Sequence, residues 1–335
     1  HRRGEAFLTT RVTRLIVGVV VAVLTLVPVI GESVPVTQDG PSHVYNAATA
    51  VAARAGASPY AELFVARDDV RPNVASHAIL SALGPRLGWS AAERCVLVLA
   101  LLGGLAAAML LARANVLAVT LAGWLASNWF VWMGFYDFAL SIPFFFVLVW
   151  LLSVSITARV RLALQIVLAL LYVTHLFTFA VGVALVTLVV AMSAMARERI
   201  DARELLPAVP GVLVLLLELA TGVGGGAAPA WTTGVWARLS AFATSDFLVT
   251  VLWLDSAAGV ALLLALVGVL IGAFAAWRSN RFTAPAMSPL ILFGATMLVL
   301  SLVAPDAIGE GGYVPARMRL LGAAALVPAV GHMGG

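Results

Sequence analysis

The chain has 335 residues, of which 62% are apolar and only 11% are charged. Soluble globular domains carry about 25% charged residues, so this composition excludes an ordinary soluble domain and predicts insertion into a membrane. The net charge is +4, but the basic residues, all of them arginine, are scattered between apolar runs and do not indicate a nucleic-acid partner.

The N-terminal segment has the arrangement of a membrane anchor. Residues 1–14 hold four arginines, and the uncharged run 15–30 follows them. Because no small-x-small cleavage site follows Ile30, we expect a retained signal-anchor helix and not a signal peptide that is removed. The arginines in front of this helix place the N-terminus in the cytoplasm by the positive-inside rule.

The stretch 31–94 is the longest polar part of the chain, and we expect it to form the first loop on the outer face. Ser42 is the predicted N-cap of a helix whose apolar side chains share one face and which ends at Gly56. A second short helix is predicted over 74–83. Both helices are expected to lie along the membrane surface and not to cross it.

Further apolar segments follow, separated by short polar junctions. They predict spans at 95–112, 116–133, 138–157, 162–177, 179–195, 205–221, 257–277, 286–304 and 318–330. Alternate junctions carry the arginines Arg113, Arg159, Arg161, Arg197, Arg199, Arg203, Arg278 and Arg281, as expected of cytoplasmic loops. The predicted fold is therefore all-α, a single polytopic transmembrane domain over 1–335 with about ten spans. The last span is short, which leaves open whether the natural chain continues past Gly335.

Asp39 and His43 are the candidate catalytic residues. Asp39-Gly40-Pro41 is a tight-turn sequence that presents a carboxylate close to the outer leaflet, and His43 follows four residues after Asp39. A carboxylate–imidazole pair suits general-base activation of a hydroxyl group. The alternative is a structural turn in which Asp39 stabilises the start of the following helix. The pair alone is incomplete as a metal site; no full ligand set stands out, and a divalent cation is left open.

Four other residues of the outer loops are candidate substrate contacts. Arg71 precedes Pro72, which imposes an extended backbone ahead of the helix that carries His77. Arg94 is expected at the outer membrane edge, where lipid phosphates lie. Asp137 stands in an aromatic-rich turn that is otherwise typical of an interfacial aromatic belt. The alternatives are ordinary packing for His77 and loop solvation for Asp137.

The remaining candidates lie near the outer ends of later spans. His175 is ionisable within an apolar segment, where such residues are costly and therefore indicate function. In the last outer loop, Tyr313 is followed by Arg317 and Arg319, two arginines that break the positive-inside pattern. Arginine binds phosphate in a bidentate manner, and the loop glycines allow close approach of a ligand. The alternative is a flexible loop whose arginines reach the head groups.

The order of these segments resembles that of a known superfamily. One span leads to an outer loop with an early acid, Asp39; Arg71-Pro72-Asn73, an apolar helix and the segment 87–94 (LGWSAAER) precede the second span. This arrangement resembles the N-terminal half of GT-C-type membrane glycosyltransferases, the superfamily of protein mannosyltransferases and aminoarabinose transferases. Three later segments are similar to those of uncharacterised bacterial membrane proteins associated with the same fold: 134–138 (GFYDF), 172–175 (YVTH) and 311–317 (GGYVPAR).

The resemblance implies a GT-C-like fold and a site on the outer side of a bacterial inner (plasma) membrane. It also implies a polyprenyl-phosphate-linked sugar donor and inverting transfer to a lipid, glycan or protein acceptor. Asp39 matches the first-loop acid that acts as general base. Arg317 and Arg319 are the first candidates for binding the donor phosphate, and Arg94 is the next candidate. The chain departs from the family at Gly40, because many members have a second acidic residue there.

Two functions of other classes are compatible with the sequence. A transporter or lipid flippase is disfavoured, because such proteins often carry ionisable residues near the midplane and internal repeats, whereas the charges here lie mainly in outer loops. A non-catalytic membrane assembly subunit would keep the fold without requiring Asp39 or Arg317. None of these patterns indicates an oligomeric state.

Overall fold

The computed structural model describes residues 2–32, 35, 37–65, 71–112, 116–154, 157–196, 208–221, 228–243, 260, 264, 267–268, 271–272, 287–308 and 311–333. This part of the chain is mostly helical. Its helices are α1 (Arg2–Gly31), α2 (Gly40–Arg54), α3 (Tyr60–Leu63), α4 (Ala75–Leu87), α5 (Trp89–Leu111), α6 (Val116–Ala126), α7 (Trp129–Met133), α8 (Tyr136–Leu152), α9 (Ala158–Thr174), α10 (Leu176–Ala196), α11 (Val209–Thr221), α12 (Val235–Ala243), α13 (Met287–Leu300) and α14 (Val314–Met333). Strands β1 (Ala307–Ile308) and β2 (Gly311–Gly312) form a short antiparallel hairpin before α14.

The helices follow the apolar runs of the sequence. Each predicted span within the described residues is mostly helix, whereas 257–277 lies mostly outside them. Among the described residues, two helices are long and apolar enough to cross a bilayer, Trp89–Leu111 and Leu176–Met195. The apolar parts of α1, α8, α11 and α13 are shorter. The predicted all-α class is therefore confirmed, and the number of spans stays a prediction.

Two hydrophobic cores organise the chain. The larger core joins α5, α6, α8, α9, α10, α13 and α14. In it α13 and α14 pack closely, because a Cβ on Gly294 would lie 2.8 Å from the Gly322 carbonyl oxygen; small residues allow such close helix approach. The smaller core joins the end of α1 to α2, α4, the first half of α5 and the start of α8. The candidate site is built on this smaller core.

The predicted span 116–133 is interrupted at Asn128. The Asn128 Oδ1 accepts the Phe130 N–H at 3.0 Å and so caps α7, while its Nδ2 donates to the Leu125 carbonyl at 2.9 Å. Asn128 is fully buried, so one side chain satisfies backbone groups on both sides of the helix break. Gly134, with φ of 82°, then ends α7 and turns the chain into α8.

The first surface helix begins earlier than predicted. Its N-cap is Asp39 and not Ser42, and the helix starts at Gly40 with Pro41 in its first turn, a position where proline needs no N–H partner. The expectation for Ser42 was therefore wrong. As a result Asp39 and His43 are one helical turn apart, and the His43 N–H donates to the Asp39 carbonyl at 3.3 Å.

Candidate functional site

The first turn of α8 places three consecutive side chains in three different polar groups. Tyr136 bonds to Glu93 of α5, Asp137 faces His43 of α2 and His77 of α4, and Phe138 contacts Arg317 of α14. Successive residues of a helix point about 100° apart, so one helix start can serve all three groups. The N-terminus of α8 is therefore the centre of the candidate site.

The turn that carries Asp39 lies directly on the turn that precedes α8. The Asp39 N–H donates to the Met133 carbonyl at 2.8 Å. A Cβ on Gly134 would lie 2.5 Å from the Gly40 nitrogen and 3.1 Å from the Asp39 nitrogen. Gly134 also has a left-handed backbone, which glycine adopts without steric cost. These contacts hold Asp39 beside the start of α8.

A buried hydrogen-bonded cluster of Thr37, Glu93 and Tyr136 lies next to the turn that carries Asp39. The Tyr136 hydroxyl donates to the Glu93 carboxylate, and the Thr37 hydroxyl donates to the same carboxylate oxygen at 3.1 Å. The Thr37 and Tyr136 oxygens are 3.0 Å apart. Glu93 is only 4% exposed. The two hydroxyl donors therefore replace the hydrogen bonds to water that the carboxylate loses on burial.

His43, His77 and Asp137 form a second group, which we call the His–Asp cluster. One potential ligand atom from each residue lies within 4.8 Å of those of the other two. The His43 Nδ1 and His77 Nε2 are 3.2 Å apart. The Asp137 Oδ1 accepts the Ser76 N–H at 2.8 Å, and Asp137 is 7% exposed. Three separate elements thus direct nitrogen and oxygen atoms towards one point.

The charges of the His–Asp cluster are unbalanced. Burial, reinforced by the neighbouring His77 and opposed by the Asp39 charge, lowers the pKa of His43 to about 4. Burial also lowers the pKa of His77. Both imidazoles are therefore neutral at pH 7, and one donates an N–H to the other. Within the described part of the chain, no cationic side chain pairs with the Asp137 carboxylate.

Arg317 forms the third group with aromatic side chains. Its guanidinium carbon lies 5.1 Å from the ring centre of Phe138, 5.6 Å from that of Phe135 and 5.7 Å from that of Phe130, within cation–π range. Arg317 is 8% exposed and its Nε has no hydrogen-bond partner. No carboxylate of the described residues pairs with it. A buried guanidinium without an anion is costly, so this position is suited to an anionic ligand.

His175 lies at the break between α9 and α10, on the other side of Phe138. Its ring packs edge-on against Phe138 with ring centres 5.1 Å apart. The His175 Nδ1 accepts the Thr178 N–H at 3.3 Å, so in the neutral ring the proton is on Nε2. The Thr178 hydroxyl oxygen accepts a further hydrogen bond from Ser141 at 2.9 Å. His175 is thus held in one orientation.

The segment that contains Arg71 connects the His–Asp cluster to His175. The Asn73 Oδ1 accepts the Leu176 N–H at 2.9 Å, and the Val74 N–H donates to the Val173 carbonyl at 3.1 Å. These bonds fix the start of α4, which carries His77, against the α9–α10 break. Arg71 itself is half-buried at the beginning of this connection.

The other predicted substrate residues are placed differently. Arg94 donates to the Glu32 carbonyl at 2.5 Å and so holds the end of α1 against α5. Tyr313 packs edge-on against Trp129 with ring centres 5.0 Å apart and is 48% exposed. Arg319 is 2% exposed within α14. The structure therefore groups Asp39, His43, His77 and Asp137 and places Arg317 beside the next residue of α8.

Sequence reasoning missed several residues that build the site. Thr37, Ser76 and Tyr136 orient the polar groups, and Glu93 accepts hydrogen bonds from Thr37 and Tyr136. An acidic residue near the start of a strongly apolar helix was the available signal for Glu93. A second missed group lies beside α12, where the buried Arg238 pairs with Asp306 at 3.1 Å.

Comparison with known proteins gives no relative: no protein-family model, no curated protein and no solved structure matches this chain. Its function is therefore inferred from the geometry of the site.

Proposed function

We propose that this chain is a polytopic protein of the bacterial inner membrane, GT-C-like, that transfers a sugar on the outer side of the membrane. The donor is a polyprenyl-phosphate-linked sugar, and the acceptor is a lipid, glycan or protein hydroxyl. One observation carries the proposal. Three separate segments bring together the candidate catalytic residues Asp39 and His43 and the candidate substrate residues His77 and Asp137. The buried Arg317 lies beside them, in contact with Phe138.

The exposed faces of the helices support placement in a membrane. On α1, Leu24 is 68% and Ile30 64% exposed, and on α9 Leu162 is 64% exposed. On α11, Leu217 is 61% exposed, and on α13 Val299 is 65% exposed. Soluble proteins rarely expose apolar patches larger than a few hundred Å². A bilayer would cover these side chains, with the arginine-rich junctions in the cytoplasm.

The proposed reaction uses Asp39 as general base. The acceptor oxygen attacks the anomeric carbon of the sugar, and its proton passes to the Asp39 carboxylate. The bond between the anomeric carbon and the phosphate oxygen breaks, and polyprenyl phosphate leaves with the electron pair. A direct displacement of this kind inverts the configuration at the anomeric carbon. His43, one turn after Asp39, lies where it can orient the acceptor.

Arg317 is the proposed counter-charge for the leaving phosphate. Its guanidinium is buried among Phe130, Phe135 and Phe138 and has no carboxylate partner among the described residues. The aromatic rings exclude water and strengthen the attraction between the guanidinium and a phosphate. Of the three rings, Phe135 is only half-buried and offers an apolar surface to the first isoprene units of the donor.

Native mass spectrometry of the purified chain in detergent tests donor binding. Undecaprenyl phosphate is the probe, and undecaprenol, which lacks the phosphate, is the ligand control. We expect retention of the phosphate form only, and a loss of at least about tenfold in retention for Arg317→Gln, since a charge-assisted contact contributes 1.5–3 kcal/mol.

Arg159→Gln is the matched control, because Arg159 is an exposed arginine in the first turn of α9. It should retain the lipid as the unchanged chain does. Equal retention of undecaprenol, or equal retention by Arg317→Gln, would contradict the phosphate site. Binding without any consumption of a sugar-loaded lipid would favour a lipid transporter or a non-catalytic subunit.

A further inference from the structure

The geometry of the His–Asp cluster points to a binding site for one divalent transition-metal ion, and we infer that His43, His77 and Asp137 are its protein ligands. Zn²⁺ is the ion that two imidazoles and one carboxylate suit best. The inference goes beyond the proposed transfer reaction and does not depend on it, because metal binding is measurable without any substrate.

The separation of the ligand atoms agrees with coordination of a shared ion. Zinc–nitrogen bonds of 2.0–2.1 Å in a tetrahedral site place two ligand nitrogens about 3.3 Å apart. The His43 Nδ1 and His77 Nε2 are already 3.2 Å apart. All three ligand atoms lie within 4.8 Å of one another, so the carboxylate oxygen lies near the same point as the two nitrogens.

The charge of the cluster is a second and independent argument. Asp137 is 7% exposed, and within the described residues it has no ion pair. A buried carboxylate without a counter-charge is strongly unfavourable. A divalent cation bound between the three side chains would supply the missing positive charge.

The ligands are also held by neighbouring groups, as in known metal sites. The Ser76 N–H donates to the Asp137 Oδ1 at 2.8 Å and so holds the carboxylate in place. The His43 ring packs on the Tyr136 ring with centres 5.3 Å apart. Tyr136 is in turn bonded to Glu93. The imidazole of His43 therefore has a defined position without the ion.

Three protein ligands leave one tetrahedral position open, as in catalytic zinc sites. Asp39 is the nearest acid on the same helix, one turn before His43. It is not among the three residues whose ligand atoms meet, and we expect it to contact a water or substrate group in the open position. The predicted ligand of that position is an oxygen atom.

Metal content of the full chain in detergent micelles is the direct test. The protein is stripped with a chelator, incubated with Zn²⁺, passed through gel filtration and analysed by inductively coupled plasma mass spectrometry. We expect about one zinc ion per chain. We expect zinc affinity to fall at least about tenfold in each of the variants His43→Gln, His77→Gln and Asp137→Asn. Loss of a residue that only hydrogen-bonds to a metal ligand already costs about tenfold or more, and loss of a ligand itself should cost at least as much.

His175→Gln is the matched control, because it removes another buried histidine that is not in the cluster; it should keep the zinc. A second measurement uses the unchanged chain with Co²⁺ in place of Zn²⁺. We expect intense visible absorption, because Co²⁺ absorbs strongly in a tetrahedral site. The inference is overturned if the unchanged chain retains no zinc and its Co²⁺ spectrum equals that of the aqueous ion. Equal zinc affinity in the three ligand variants would overturn it as well.

Discussion

The Gly134 backbone touches the backbone of Asp39: a β-carbon at position 134 would lie 3.1 Å from the Asp39 nitrogen. This contact, and not a side-chain cap, positions the start of α2, because the Asp39 side chain makes no capping hydrogen bond. The structural alternative considered for Asp39, that its carboxylate serves the helix N-terminus, is therefore not realised as a hydrogen bond. The carboxylate stays available for chemistry beside the His–Asp cluster.

Replacing Gly134 with alanine should destabilise the fold. The new methyl group would lie 2.5 Å from the Gly40 nitrogen, and φ of 82° is unfavourable for alanine. Overpacking of this kind costs about 1–3 kcal/mol, so we expect a lower melting temperature in thermal unfolding. Gly234→Ala is the control, because nothing lies within 4 Å of its β-carbon position. Equal melting temperatures for the two variants would show that the close contact of Gly134 with the Asp39 turn does not stabilise the fold.

Asp39→Asn should abolish transfer while leaving the fold intact. A general base contributes about 10²–10⁴-fold to the rate, and the amide cannot accept the acceptor proton. The measurement is consumption of sugar-loaded polyprenyl phosphate by membranes that contain the protein, analysed by mass spectrometry of extracted lipids. Glu62→Gln removes an exposed acid of the same loop and should keep full activity. Full activity of Asp39→Asn, at equal expression, would exclude Asp39 as the base.

The extent of the helices was largely predictable from the sequence. The stretch 162–195 is divided into two helices as predicted, but the break lies at His175 and not at Thr178, because α9 ends at Thr174 and α10 begins at Leu176. The break within 116–133 was not predicted, since hydrophobicity alone does not show that Asn128 caps a helix inside an apolar run. The start of α2 was misplaced because Ser42 is a good cap in isolation, whereas contacts with Met133 and Gly134 select Asp39.

The site could be predicted only in its parts. His43, His77 and Asp137 were each candidates, but no spacing in the sequence relates residues that are 34, 60 and 94 positions apart. Their meeting point depends on how α2 and α4 pack against α8, which is a tertiary property. The sequence therefore left the cation open, and the shared ligand geometry appears only in the folded chain.

Tyr136→Phe should lower stability without removing metal binding. The substitution takes away the hydroxyl that donates to the buried Glu93 carboxylate, and a buried acceptor that loses a partner costs about 1–3 kcal/mol. The phenyl ring still packs against His43, so the zinc content should equal that of the unchanged chain. Tyr45→Phe, at a side chain that is 58% exposed, is the control for thermal unfolding. A zinc loss in Tyr136→Phe alone would show that its hydroxyl, and not its ring, positions the cluster.

The ion pair between Arg238 and Asp306 should make stability depend on pH in the acidic range. Burial acts to raise the pKa of Asp306, but hydrogen bonds from Thr232 and Thr233 and the Arg238 charge lower it below its ordinary value. The carboxylate therefore stabilises the fold above the ordinary aspartate pKa of about 3.9, and this contribution is lost as the pH falls through the lower, folded-state pKa. Asp306→Asn should melt at a lower temperature than the unchanged chain at pH 7, and the difference should shrink as the pH is lowered below about 4. The measurement is thermal unfolding from pH 7 to pH 3, and a difference that stays constant over this range would contradict the assigned role.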